Sequence, residues 1–422
     1  MLSNFHTAVD LPEGVLRRLL RPTWVEVDLE AIEHNVRTVK RWIGNVRLIG
    51  VLKGDACGFG APECALAMES AGIDMLAVGN AFEVPLLRKR GIRCPILLYA
   101  SFLPRSIDQI VAVDAIPTVV DRGFMNALAQ TSRALSKPLD VFVKVDTGLG
   151  RLGVPYEDAP DLIRAIAGTG SLRVAGIYSH CGAADAQRAS EQLERMQHVV
   201  ARARQLGIDA PFNVLAATPH LMQRPDMWLT AVDPGRLLFG IQTSPATARV
   251  DGELRPAFRA LRSKLIQVKS TSSTDPPEYG WGRVNGVRRY GVLPFGWTDV
   301  LLQDAYEHSG ALVRGVPVRF LTTLSAEHSV VDLTAVPDAK AGDVVTILGD
   351  DGTRSIDIET LAAGAAMQVS DVTRRLHRHL PFIYFRGGVP VRLKTPLEDI
   401  ASPFSGSCDA VTRVVDEPRA PP

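Results

Sequence analysis

A chain of 422 residues, 46% hydrophobic and 22% charged, can bury a core large enough for two or three domains of about 150 residues and is no disordered polymer. Lys and Arg number 47 against 46 Asp and Glu, so the charge gives no reason to expect nucleic acid or another polyanion. No stretch reaches the roughly 18 apolar residues of a membrane helix, and the five scattered cysteines (Cys57, Cys64, Cys94, Cys181, Cys408) contain no C-x-x-C pair, which suits a reducing cytoplasm.

Residues 1–22 read as a helical extension, too polar around Val15-Leu16-Arg17-Arg18 for a secretory signal. From Trp24 to Ile241, strands are predicted at 46–52, 75–78, 95–99, 115–120, 141–146, 174–179 and 237–241. Helices at 61–71 and 82–90 lie between them, each followed by the glycine that commonly ends a helix, Gly72 or Gly91. Seven or eight such units in roughly 220 residues favour a parallel (β/α)8 TIM-like barrel, residues 23–255, over an open sheet. Beyond Pro256 strands and turns alternate (265–269, 291–294, 316–321, 329–333, 344–348), which predicts a mostly β C-terminal domain over 256–400 with a hairpin turn at Asp350-Asp351-Gly352. Residues 401–422, proline-rich and aperiodic, read as a flexible tail.

Three strand ends carry chemistry. Lys53 closes Ile49-Gly50-Val51-Leu52 and opens a turn of small residues through Gly60. Desolvation there lowers an amine's pKa and makes it nucleophilic, whereas a lysine snorkelling from a strand end is the plainer reading. In Asp140-Val141-Phe142-Val143-Lys144-Val145-Asp146-Thr147-Gly148-Leu149-Gly150-Arg151, strand alternation puts Lys144 and Asp146 on one face before a glycine turn presents Arg151. An active-site pair and an ordinary surface ion pair both fit that pattern. His180 ends Gly176-Ile177-Tyr178-Ser179 in the same way.

Together these segments make the chain resemble the alanine racemase family from about Trp24 to Arg386, most specifically through the Lys144–Gly153 run and the Lys53 segment, with support from Trp24-Val25-Glu26-Val27-Asp28-Leu29 and His34-Asn35. The resemblance implies pyridoxal 5′-phosphate (PLP) as cofactor, a small-molecule amino acid as substrate, and a homodimer with shared active sites, without a metal. By the same resemblance Lys53 would hold PLP and act as one of two opposed bases at the substrate Cα, with Tyr279 the second base, reaching across the dimer. Arg151 would lie near the substrate carboxylate, and Lys144 falls where some members carry a carbamylated lysine. His180 would support the cofactor ring, and Thr218, Gly235 and Arg236 would meet the phosphate. Abstracting a Cα proton needs an electron sink, and inversion needs a proton donor on each face.

Departures from the family pattern are concentrated near the cofactor and substrate. Asp233, in Val232-Asp233-Pro234-Gly235-Arg236, stands where these racemases have arginine at the pyridine nitrogen. An acid there strengthens the sink and resembles the PLP decarboxylases of basic amino acids. Cys57 and Phe59 replace a tyrosine and a histidine, Ser370 replaces a phosphate-side tyrosine, Trp297 replaces another tyrosine, and Ala326-Glu327 replaces Met-Asp, which places Ala326 at the substrate. These changes point to a PLP-dependent racemase or epimerase acting on a substrate other than or beyond alanine. A decarboxylase or aldolase on the same fold, and a non-catalytic PLP-binding protein, are the alternatives.

Overall fold

The computed structural model describes residues 11–99, 101–182, 185–241, 253–271, 278–279, 282–283, 286–299, 309–321, 325–352, 354–376 and 379–395. The expected tail at 401–422, with Cys408, lies outside these residues. Two compact units are present: one joins residues 27–259 with 358–375, the other gathers the described residues before 27, from 260 to 357 and after 375.

The first unit is a closed barrel of eight parallel strands: β1 (Arg47–Val51), β2 (Met75–Val78), β3 (Ile96–Leu98), β4 (Ile116–Val119), β5 (Leu139–Asp146), β6 (Leu172–Tyr178), β7 (Phe212–Val214) and β8 (Ala231–Val232). Neighbours in sequence pair throughout, and β8 closes on β1 with Ala231 opposite Arg47 and Val232 opposite Leu48. The strands are largely apolar because both faces are covered, with Arg47, Asp140, Lys144, Asp146 and Arg173 their charged exceptions. Ile49, Met75, Ala77, Leu97, Phe142, Tyr178, Val214 and Ala231 fill the lumen. Gly176 makes that filling possible, since a Cβ there would lie 2.2 Å from the Phe142 ring.

Helices stand between the strands where local signals put them. Asp28 caps Leu29–Ile43 by accepting from the Ala31 amide, and Asp121 and Asp185 do the same for Arg122–Ala134 and Ala186–Gln205. The helices predicted at 61–71 and 82–90 form as Ala61–Ser70 and Glu83–Lys89, each followed by a glycine at positive φ. The strand predicted at 237–241 does not form. That segment is a 3-10 turn, Arg236–Phe239, and the barrel's last two strands are the shorter β7 and β8. A short run buried on all sides has no periodicity to tell strand from turn.

In the second unit Thr23–Asp28 pairs between Phe258–Lys264 and Phe382–Arg386, and the last strand turns back as a hairpin with Val389–Lys394. Trp24 packs here with Leu11, Leu19, Ile383, Phe385 and Leu393. Glu26 is buried in the same sheet, accepting from Trp24 Nε1 at 3.0 Å and from Arg262 Nε at 2.9 Å. The turn at Asp350-Asp351-Gly352 links Val344–Asp350 to Ser355–Ile356, with Gly352 at φ +99° and its amide on Asp350 Oδ1. Helices Ile358–Gly364 and Val369–Arg375 belong with the barrel, so the chain leaves the β unit and returns to it. No helix among the described residues is long and apolar enough to cross a membrane.

Candidate active site

Lys53 begins a tight turn directly after β1. Gly54, Asp55, Ala56 and Cys57 take φ of +68°, +53°, +56° and +58°, a left-handed run that costs L-residues roughly 1–2 kcal/mol each. Compensating bonds hold it: Asp55 Oδ1 accepts from the Ala61 amide at 2.6 Å, and Thr373 Oγ1 donates to the Cys57 carbonyl at 2.6 Å. Strain over-determined in this way is characteristic of functional turns.

The turn forms one wall of a cavity of about 660 Å³ within the barrel unit, lined by Lys53, His180, Thr218, Asp233, Gly235 and Arg236, all placed by residues just past the C-terminal ends of their strands. That is the end where barrel enzymes carry out chemistry. A second cavity of about 740 Å³ opens among the first residues of the strands, at Met75, Ile116, Leu172 and Phe212. Of its charged residues, Asp140 and Arg173 are paired with each other at 2.5 and 2.7 Å and Asp209 pairs with Arg204 at 3.3 Å, and none of the candidate site residues lines it.

The electrostatics follow from burial. Lys53 opens onto the cavity, but desolvation by the surrounding protein lowers its pKa, with Asp233 opposing and Arg151 and Arg374 adding to the shift. Its Nζ lies 4.6 Å from the centre of the Tyr99 ring, and the Tyr99 hydroxyl donates to Asp233 Oδ2 at 3.0 Å. Burial raises the Asp233 pKa to about 6 against the pull of Lys53, Tyr99 and Lys144. Lys144 is buried inside β5 with Nζ 4.4 Å from the Tyr178 ring centre, and desolvation lowers its pKa to about 7. His180 drops to about 4 through desolvation and then repulsion from Lys144, Arg151 and Lys53, so it is neutral at physiological pH. Arg151 is exposed beyond β5, its charge felt by all three. Asp146 accepts from the amides of Gly148, Leu149 and Gly150, organising the glycine turn that leads to Arg151.

Also lining the cavity, Arg236 bonds to Gln368, and Arg374 Nη2 lies 3.6 Å from the Cys57 sulfur, with Ser370 in the same lining. Arg374, Gln368 and Tyr99 were not legible as site residues. Tyr99 reads only as the close of an apolar strand, and the 358–375 helices carry no motif.

The remaining candidates lie in the β unit. Tyr279 sits on a two-residue strand, Glu278–Tyr279, paired with Gly282–Arg283, while its side chain lies outside the described residues. Ala326 and Glu327 occupy an exposed loop tied to the Trp297 turn: the Trp297 amide donates to Ser325 O at 3.0 Å, and the Thr298 amide and Oγ1 both donate to Ala326 O. Gly296 permits this approach, since a Cβ would meet the Ala326 carbonyl at 2.3 Å. Two of the departures, Trp297 and Ala326, are therefore neighbours.

The family model described as "Alanine racemase, N-terminal domain" matches residues 27–243, and "Alanine racemase, C-terminal domain" matches 259–384. The chain belongs to the alanine racemase family. Among its relatives, alanine racemase 1 of Caldanaerobacter subterraneus subsp. tengcongensis is 30% identical over 88% of this chain and 97% of its own length. The alanine racemase of Sorangium cellulosum is 31% identical over 86% and 99%. A solved alanine racemase from Streptomyces lavendulae superposes with a TM-score of 0.76 at 27% identity, covering 87% of this chain and 98% of that one. The Bacillus anthracis enzyme, solved with bound L-Ala-P, reaches 0.80 at 24% identity over 90% and 99%, a likeness of fold.

Enzymes of the alanine racemase family are PLP-dependent racemases. The residues here fit that cofactor: an amine of lowered pKa for its aldehyde, a carboxylate for its ring nitrogen, and the guanidinium groups of Arg236 and Arg374 for its phosphate.

Proposed function

We propose that this racemase inverts amino acids by two-base proton transfer at Cα, on a substrate other than or beyond alanine. PLP, when bound, supplies the electron sink that makes the Cα proton removable. Lys53 holds the cofactor and moves the proton on one face, a role favoured by the desolvation that lowers its pKa from the ordinary lysine value. Tyr279, supplied by the second subunit of a homodimer, moves it on the other face. Arg151 takes the substrate carboxylate, Asp233 holds a proton at the ring nitrogen, His180 supports the ring as a neutral imidazole, and Thr218, Gly235 and Arg236 receive the phosphate.

What carries the reading is that Lys53 and Asp233 border one cavity whose lining also includes the cations Arg236 and Arg374. The neighbouring departures at Trp297 and Ala326, one larger than the family's tyrosine and one smaller than its methionine, support a substrate other than or beyond alanine. Asp233 and Arg236 in the same cavity also favour a second reading, decarboxylation of an amino acid. One experiment separates them: incubation of the holoenzyme with a panel of L- and D-amino acids in D2O, following chirality, Cα deuterium and carbon dioxide. Deuterium with inversion on a substrate beyond alanine supports the proposal. Inversion of alanine alone overturns the substrate claim, and carbon dioxide release without inversion overturns racemisation.

A further inference from the structure

Tyr99, just past β3, is fixed from three sides. Its hydroxyl donates to Asp233 Oδ2 at 3.0 Å, its ring lies 4.6 Å from Lys53 Nζ, and it packs 5.6 Å, centre to centre, from the Tyr178 ring. Tyr178 is in turn held by Thr118 through a 3.1 Å hydroxyl contact. The phenol thus connects the amine and the carboxylate assigned the two ends of the cofactor ring's chemistry, yet none of the roles above uses it.

We propose that Tyr99 is the positioning residue for Asp233, donating to one carboxylate oxygen so that the group is held ionised, in one orientation, as an acceptor for the ring nitrogen. This rests on the reading that Asp233 serves that nitrogen. An ionised carboxylate only accepts, whereas a protonated one also donates and competes with a phenol for the role of donor. A fixed hydroxyl therefore selects the charged form. Burial pushes the Tyr99 pKa well above its ordinary value, so it remains a donor throughout the working range.

Asp233 is also faced by Lys53 after β1 and Lys144 on β5, with Arg151 and His180 close to those lysines. The test therefore compares variants that keep all four. Wild-type, Tyr99→Phe and Asp233→Asn holoenzymes are titrated from mildly acidic to alkaline pH while cofactor absorption is recorded. The transition lost in Asp233→Asn belongs to Asp233. In Tyr99→Phe it is expected about one pH unit higher, the worth of a hydrogen bond to a charged group, with PLP still reducible onto Lys53. Fluorotyrosine at position 99, a stronger donor, moves it lower and serves as the test if Tyr99→Phe does not fold. An Asp233 transition unmoved by these changes overturns the positioning role alone. A wild-type transition in Asp233→Asn overturns the reading of Asp233, and the proposal with it.

Discussion

Arg374 Nη2 lies 3.6 Å from the sulfur of Cys57, joining residues 317 positions apart in the lining of the cavity. Where the family pattern has a tyrosine hydroxyl, this chain has a thiol, which burial keeps protonated, beside a guanidinium. On the proposed reading, charge then replaces a neutral donor for the phosphate. Arg374→Ala should weaken PLP binding about 10- to 100-fold, the loss of one charge-assisted hydrogen bond, and should flatten the salt dependence of binding. Equilibrium dialysis with PLP at two ionic strengths measures both.

Gly58 makes that arrangement possible. It sits at φ +89°, and a Cβ would lie 2.3 Å from the Thr373 carbonyl oxygen. Gly58→Ala should push the Val369–Arg375 helix off the Lys53 turn, and the backbone clash leaves no cheap adjustment. PLP affinity should fall by more than in Arg374→Ala, with circular dichroism still reporting a folded barrel. Unchanged PLP affinity would show that the helix can move without disturbing the site.

The two lysines should separate by chemistry. Borohydride treatment of the holoenzyme should leave PLP on the Lys53 peptide, and labelling of Lys144 instead would sink the assignment. Lys144, with a pKa near 7, is neutral above that pH, and only the neutral amine adds carbon dioxide. A carbamate signal from 13C-bicarbonate should therefore grow as pH rises through about 7 and vanish in Lys144→Arg.

Tyr279→Phe removes only a hydroxyl, so the fold and bound PLP should persist while racemisation falls about a hundredfold to ten-thousandfold in both directions. Cα deuterium exchange without inversion should continue for the enantiomer whose proton faces Lys53. Mixing Lys53→Ala with Tyr279→Phe protomers should restore one intact site per heterodimer. No recovery from a verified heterodimer would count against a shared site, and full racemisation in Tyr279→Phe would end the two-base mechanism.

Barrel class, and the positions of Lys53 and His180, were legible in the sequence because a buried parallel strand that stops at a charged residue is a local signal, and barrels place those stops at one mouth, whereas Asp233 was visible only through the family resemblance because its two-residue strand, Ala231–Val232, gives no such signal. The resemblance to racemases likewise rests on contiguous runs. Only the tertiary structure brought Tyr99 to Asp233 and Arg374 to Cys57, or returned residues 358–375 to the barrel while Trp24 went to the β sheet. The left-handed turn after Lys53 was equally unreadable, since Asp55, Ala56 and Cys57 have no intrinsic preference for positive φ and adopt it because bonds from Ala61 and Thr373 hold them there. Local propensity reports what a segment does with its neighbours in sequence, whereas these features depend on partners that arrive only when the barrel closes.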